Sequence, residues 1–227
     1  MKYGIIHATM GSVAPLKKAI LKREPDAEVV NFVNEEMLAY ANRTGKVDET
    51  AMRMFARIVF TAQEAGVDAI MAACNIFAPR IDAVKPFLSV PILAVDSAMQ
   101  EIAASMGGKI GIIGTNASSV PSCSSGILAA AARLAGAGRQ TLAAPIEFCD
   151  GTVSEAAAIL ESGDTETFDR MLTQKAAELV ENEGCTVLVL AQITTARAKK
   201  AILEAGITVP VLTTPEEGAK ALSELCR

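Results

Sequence analysis

Short apolar runs alternate with longer amphipathic stretches along this chain, and the alternation is written twice. Lys2-Tyr3-Gly4-Ile5-Ile6 returns as Lys109-Ile110-Gly111-Ile112-Ile113, and Pro91-Ile92-Leu93-Ala94-Val95 returns as Pro210-Val211-Leu212-Thr213-Thr214. The block from Gly66 to Cys74 returns as Gly184 to Gln192, so Cys74 has a counterpart that is not a cysteine. Uniformly apolar runs ending in small or polar residues are the pattern of strands buried on both faces of a parallel sheet. They predict strands at Tyr3 to Ile6, Glu28 to Phe32, Asp68 to Ala73 and Ile92 to Val95 in the first copy. The second copy gives Ile110 to Ile113, Thr141 to Phe148, Thr186 to Ala191 and Val211 to Leu212.

Helical periodicity fills the intervals. The first copy carries helices at Val13 to Arg23 and at Asp48 to Ala65, the latter with an Asp at its N-cap and Gly66 just past its end. A short helix near Pro79 to Val84 follows, then one that Asp96 or Ser97 caps and Gly107-Gly108 stops. Helices at Ser119 to Ala135, Ser154 to Glu161 and Thr165 to Glu183 serve the second copy. Thr214-Pro215-Glu216-Glu217 is a capping box with Pro at the first helical position and opens a last helix to Leu225. Strands alternating with helices of this length predict right-handed βαβ units, hence an α/β protein of two pseudo-symmetric parallel-sheet lobes with an interlobe cleft. With the helix after each fourth strand crossing between lobes, residues 1–95 plus 214–227 form the first lobe and residues 96–213 the second.

Composition narrows the function classes. At 227 residues, 51% of them hydrophobic, the chain can bury a substantial core. Its net charge is -5, and no stretch concentrates Lys and Arg among aromatics, which argues against a nucleic-acid partner. No apolar run approaches the ~20 residues of a membrane helix, and the first residues enter a strand instead of a signal sequence, so the expectation is a soluble cytoplasmic protein. The five cysteines form no CxxC pair, and an odd number argues against a disulfide framework. His7 is the only histidine, which leaves no His/Cys cluster for a transition metal and makes chemistry without a cofactor the default. Met and Ala on helix surfaces would suit a homodimer.

Ligands of open parallel sheets bind beyond the carboxyl ends of the strands. Four such ends carry polar residues: His7 to Ser12, Cys74-Asn75-Ile76, Gly114 to Ser119, and Gln192 to Thr195. Cys74 before a helix start is placed for a lowered thiol pKa and proton exchange; the other reading is a small buried hydrophobe. Thr115, Ser118 and Ser119 suit carboxylate binding through O–H and N–H groups, while Ser118 or Ser119 equally suits a helix cap. Thr9 and Ser12 occupy the matching loop. His7 reads either as a structural histidine or as a base. Cys185 stands at the far end of its strand and reads as structural, as do Cys123, Cys149 and Cys226, in helix or loop contexts.

Two α/β lobes with Ala73-Cys74-Asn75 ending a strand of the first resemble the aspartate/glutamate/hydantoin racemase superfamily, over essentially the whole chain. In that family a Cys-Asn-Thr/Ser motif supplies one catalytic cysteine and part of a carboxylate pocket, a Gly-Thr segment with following hydroxyls supplies more, and a Cys-Thr motif brings an opposing cysteine. The matching positions are Cys74-Asn75-Ile76, Gly114-Thr115 with Ser118-Ser119, and Gln192-Ile193-Thr194. Ile76 and Gln192 depart from the pattern, and Leu190-Ala191-Gln192 with Ala196-Arg197 is similar to a branch of the superfamily. The resemblance implies an isomerase or lyase working without a cofactor on a small carboxylate or carbonyl substrate. Cys74 is then the acid/base or nucleophile, with Gln192 across from it. Thr9, Asn75, Thr115, Ser118, Ser119 and Thr194 would bind substrate. A carboxamide does not titrate near neutrality, so two-cysteine racemisation is disfavoured unless His7 replaces the missing base. The rival expectation is a binding protein for small carboxylates that performs no chemistry.

Overall fold

The computed structural model describes residues 1–138 and 145–225. β1 (Lys2–His7) runs through a 3₁₀ turn (Met10–Ser12) into α1 (Val13–Arg23), then β2 (Glu28–Val33), α2 (Glu35–Thr44), α3 (Glu49–Glu64) and β3 (Ala69–Ala72). A 3₁₀ turn (Ala78–Arg80), α4 (Ile81–Val84) and a second turn (Lys85–Phe87) lead to β4 (Ile92–Ala94). Next come α5 (Ser97–Met106), β5 (Gly108–Gly114), α6 (Ser119–Gly136), β6 (Ile146–Thr152), α7 (Glu155–Glu161), α8 (Thr165–Glu181) and β7 (Val187–Leu190). A 3₁₀ turn (Thr195–Ala198), α9 (Lys199–Glu204), β8 (Val211–Thr213) and α10 (Thr214–Leu225) complete the described chain. It divides into two compact units, Met1–Asp96 with Pro215–Arg227, and Ser97–Thr214.

Each unit holds a four-stranded sheet, ordered β2-β1-β3-β4 in the first and β6-β5-β7-β8 in the second. All pairings are parallel. The repeated segments thus occupy the same rank, with β1 and β5 each flanked on both sides. This is the expected α/β fold of two parallel-sheet lobes.

The cores follow from helix spacing. In the first unit Ala51, Phe55, Val59 and Ala62 of α3 fall three or four residues apart and pack with Ile6, Ile70 and Ala72 of the sheet. In the second, Phe168, Leu172, Ala176 and Leu179 of α8 repeat the device against Ile113, Leu188 and Leu190. Each large side chain so buried contributes about 1.5–3 kcal/mol. The glycines of the repeated strands make this contact close. A Cβ on Gly4 would lie 3.3 Å from Ala62 and 3.2 Å from Val67, and one on Gly111 would lie 2.8 Å from Leu188 and 3.1 Å from Leu179 and Cys185.

α10 belongs to the first unit. Arg23 of α1 donates through Nε to Ser223 Oγ at 2.7 Å and pairs with Glu224 at 3.6 Å. Gly218 faces the Val95 carbonyl, 2.6 Å from where a Cβ would stand.

Two helices escape the periodic reading. α2 buries only Met37 and Ala41, and six-residue α9 only Ile202, stripes too narrow to register as a repeat. The strand expected from Thr141 is β6, from Ile146 to Thr152; residues 141–144 and Cys226 lie outside the described residues. Among the described residues no helix is long and apolar enough to cross a membrane.

Candidate active site

The strand ends singled out in each unit emerge side by side within that unit. The β1–β3 ladder runs to Ile6 and Ala72, and the Ala73 N–H donates to the Ile6 carbonyl at 2.8 Å, so His7 and Cys74 leave the first sheet at one end. In the second unit the Ala191 N–H donates to the Ile113 carbonyl at 2.9 Å, which sets Gly114 and Gln192 at the equivalent end.

His7 is fully buried. Its Nδ1 lies 2.6 Å from Ser12 Oγ and its Nε2 3.0 Å from Asn31 Oδ1, while the Ser12 hydroxyl donates to the Thr9 carbonyl at 2.9 Å. Burial lowers its pKa, opposed by the hydrogen bond with Asn31. With both ring nitrogens engaged inside the unit, the geometry favours the structural reading, in which His7 shapes the exposed Thr9 loop.

Cys74 follows β3 and is 9% exposed, within the core cluster that holds Phe77. Phe77 stacks on Phe55 of α3 with ring centroids 5.4 Å apart, which fixes the turn after the cysteine. Burial holds the thiol above its usual range, and the Asp96 charge adds to this. Hydrogen bonds from the N–H groups of Ile76 and Phe77 work in the opposite direction and lose. The expectation of a lowered pKa is therefore overturned. Cys74 is followed by a 3₁₀ turn and a four-residue helix, too short for a useful dipole, so desolvation decides. Asn75 and Ile76 are half-buried beside it.

Gln192 is half-buried and held at both ends. The hydroxyl of Thr195, itself fully buried, accepts from the Gln192 N–H at 3.2 Å and donates to its carbonyl at 2.8 Å. Gln192 Oε1 accepts from the Thr115 N–H at 2.6 Å and the Thr115 hydroxyl at 3.0 Å. One residue on, Asn116 Oδ1 accepts from the Ser118 N–H at 3.2 Å and from the Ser118 and Ser119 hydroxyls at 2.8 Å each. The hydroxyl run expected to bind a carboxylate directly thus gives its protons to two carboxamides. Ser119 crowds this turn so closely that a Cβ on Gly114 would come within 2.5 Å of its own. Thr194 opens the next 3₁₀ turn, half-buried. Arg197 is tied away by a two-point pair with Asp169, at 2.8 and 3.1 Å.

Asn31, Asp96, Asn116 and Thr195 are the residues of these networks that sequence reasoning did not name as site residues. Asn116, Thr195 and Asp96 follow strand ends and were findable on that ground; Asn31, inside β2, acts through a partner chosen by the fold. Cys149 stands inside β6, not in a loop, and buried Cys185 is held far above the usual thiol range by burial, with the neighbouring Cys149 thiol adding to this. Cys123 is buried in α6. Among the described residues no group of three His, Cys, Asp or Glu side chains is gathered to hold a metal ion.

Solved structures share this architecture. A glutamate racemase isoform of Bacillus anthracis is similar at a TM-score of 0.70 and 22% identity, covering 98% of this chain and 80% of that one. An aspartate racemase homologue of Pyrococcus horikoshii reaches 0.71 at 18% identity over 99% of this chain and 98% of its own. An allantoin racemase of Pseudomonas fluorescens reaches 0.61 at 16% identity over 99% and 90%. At these identities the likeness establishes the fold. None of the curated proteins matches the chain. A family model described as Asp/Glu/Hydantoin racemase matches residues 7–222, and on that match the chain belongs to the Asp/Glu/hydantoin racemase family.

Proposed function

We propose that the protein is a cofactor-independent isomerase or lyase that moves one proton on a small carboxylate or carbonyl substrate, with Cys74 as the acid. The observation that carries this reading is the state of Cys74: a thiol at the end of β3, kept protonated at neutral pH by burial, in a turn closed by the Phe77 N–H donating to the Cys74 carbonyl at 3.1 Å. When an enolate forms on the substrate, by loss of carbon dioxide or of a proton to water, the S–H bond breaks, a C–H bond forms at that carbon, and the thiolate left behind, favoured by the nearby N–H groups of Ile76 and Phe77, takes a proton back from solvent. Asn75, Thr9, Thr194 and Gln192 are the proposed substrate contacts. Ordinary two-cysteine racemisation is disfavoured, because the counterpart of Cys74 in the repeat is a carboxamide.

The test is turnover and solvent exchange in heavy water over a panel of small carboxylates, headed by glutamate and aspartate, with allantoin added because a racemase of similar fold is named for it. Cys74→Ala should abolish deuterium incorporation at the reacting carbon while leaving the fold intact. Undiminished exchange in that variant removes Cys74 from the mechanism. The rival reading, a carboxylate-binding protein without chemistry, is favoured by the inability of Gln192 to carry a proton. It predicts binding with no exchange by the unmodified protein for any acid of the panel.

A further inference from the structure

We propose that His7, Ser12 and Asn31 form a proton-operated latch on the exposed residues 9–11: the neutral ring holds the Ser12 hydroxyl, and the protonated ring releases it to the Thr9 carbonyl. The latch stands on hydrogen bonds within the first unit and needs no substrate. Only its bearing on Thr9 as a substrate contact rests on the proposed function.

The three contacts around the ring cannot all form with one ring proton. Asn31 Oδ1, 3.0 Å from Nε2, only accepts, so that contact needs a proton on Nε2. The Thr9 carbonyl, 2.9 Å from Ser12 Oγ, also only accepts and takes the single hydroxyl proton of Ser12. The 2.6 Å contact between Ser12 Oγ and Nδ1 then needs a proton on Nδ1 as well. A ring with both nitrogens protonated is the imidazolium, so the complete set of bonds belongs to charged His7. A neutral ring whose one proton stays on Nε2 for Asn31 presents Nδ1 as an acceptor. The Ser12 O–H turns to it, and the Thr9 carbonyl loses the hydroxyl.

The fold anchors each part. His7 ends β1, paired with Val33 of β2, and its carbonyl accepts from the Asn34 N–H at 3.0 Å. Asn31 reaches the ring from β2, and buried Ser12 ends the 3₁₀ turn that leads into α1. The residues between are open to solvent, Met10 at 60% exposure. Asn31 from β2 and Ser12 from the turn are the polar side chains that face the ring. Among the described residues no charged side chain acts on its titration, and Cys74, at the same end of the sheet, is a neutral thiol. Burial moves protonation of the ring below the ordinary value of about 6.5. The turn is therefore released at neutral pH and latched in acid.

Nitrogen-15 NMR of the whole protein between pH 8 and 5 tests the latch. At pH 8 the ring should carry its proton on Nε2, and the Met10 and Gly11 amide resonances should shift with the midpoint of the His7 ring. Ser12→Ala should leave the ring titrating and remove the response of residues 9–11. Asn31→Asp sets a carboxylate at Nε2 and should move both midpoints upward together, toward neutral pH. A proton on Nδ1 at pH 8, as an Asn31 amide turned to donate would give, overturns the proposal. So do Met10 and Gly11 resonances that ignore the ring, or a response that survives in Ser12→Ala. Should Ser12→Ala not fold, the position of the ring proton and the paired shift in Asn31→Asp decide. No arm involves substrate or Cys74, so failure of the latch and failure of the proton-transfer reading are separate results.

Discussion

His7 Nδ1 and Ser12 Oγ lie 2.6 Å apart in the interior of the first unit, and Ser12 passes the contact on to the Thr9 carbonyl at 2.9 Å. Because burial lowers the His7 pKa, the folded state prefers the neutral ring. The stability this provides is complete above the ordinary histidine value of about 6.5 and is lost as pH falls through that value toward the lowered one. His7 is the only histidine in the chain, so one imidazole resonance reports it. That resonance should titrate below pH 6.5, and the drop in Tm between pH 7.5 and 5 should shrink in His7→Gln. A ring titrating at or above 6.5 contradicts the buried network.

Cys74 should alkylate more slowly than an unfolded-chain thiol near pH 7 and gain rate steeply only in alkaline solution, since its thiol is held above the usual range. Mass spectrometry of iodoacetamide-treated protein at stepped pH measures this. Fast labelling at pH 7 would mean that the two backbone N–H groups outweigh burial after all.

Gly111→Ala should be more damaging than Gly4→Ala, although the two glycines occupy repeated strands. The added methyl meets Leu188 at 2.8 Å in the second unit, against 3.2 Å to Val67 in the first. An overpacked core costs about 1–3 kcal/mol, so a urea midpoint shift of that size is expected for Gly111→Ala and a smaller one for Gly4→Ala.

Gln192→Cys returns a thiol to the position that repeats Cys74. The shorter side chain leaves the Thr115 N–H and O–H without the acceptor that Gln192 Oε1 gives them. The expected outcome is a loss of about 1–3 kcal/mol, read as a lower urea midpoint. An unchanged midpoint counts against this pair of hydrogen bonds holding the turn.

Much of the fold was legible in the sequence because apolar runs of four to six residues and helices with wide stripes announce themselves. The α3 and α8 stripes were readable for that reason, whereas α2 and α9 bury too few side chains to be periodic. The strand ends that carry polar residues were readable too, since the repeat marks them twice. What lay beyond reach was which donor each acceptor takes. Thr115 and Gln192 are separated by 77 positions, and only the adjacency of β5 and β7 makes them partners. The Cys74 pKa failed for a related reason: the pattern located a helix start but not its length or the depth of the thiol.

The return of α10 to the first unit has a consequence for biosynthesis. Residues 97–214 form an uninterrupted stretch that can close its own sheet as soon as it clears the ribosome, whereas the first unit waits for a helix made after that stretch. Until Ser223 reaches Arg23 and Gly218 reaches Val95, the surfaces of the first unit that α10 covers stay open. The later half of the repeat is therefore able to close before the half that contains Cys74.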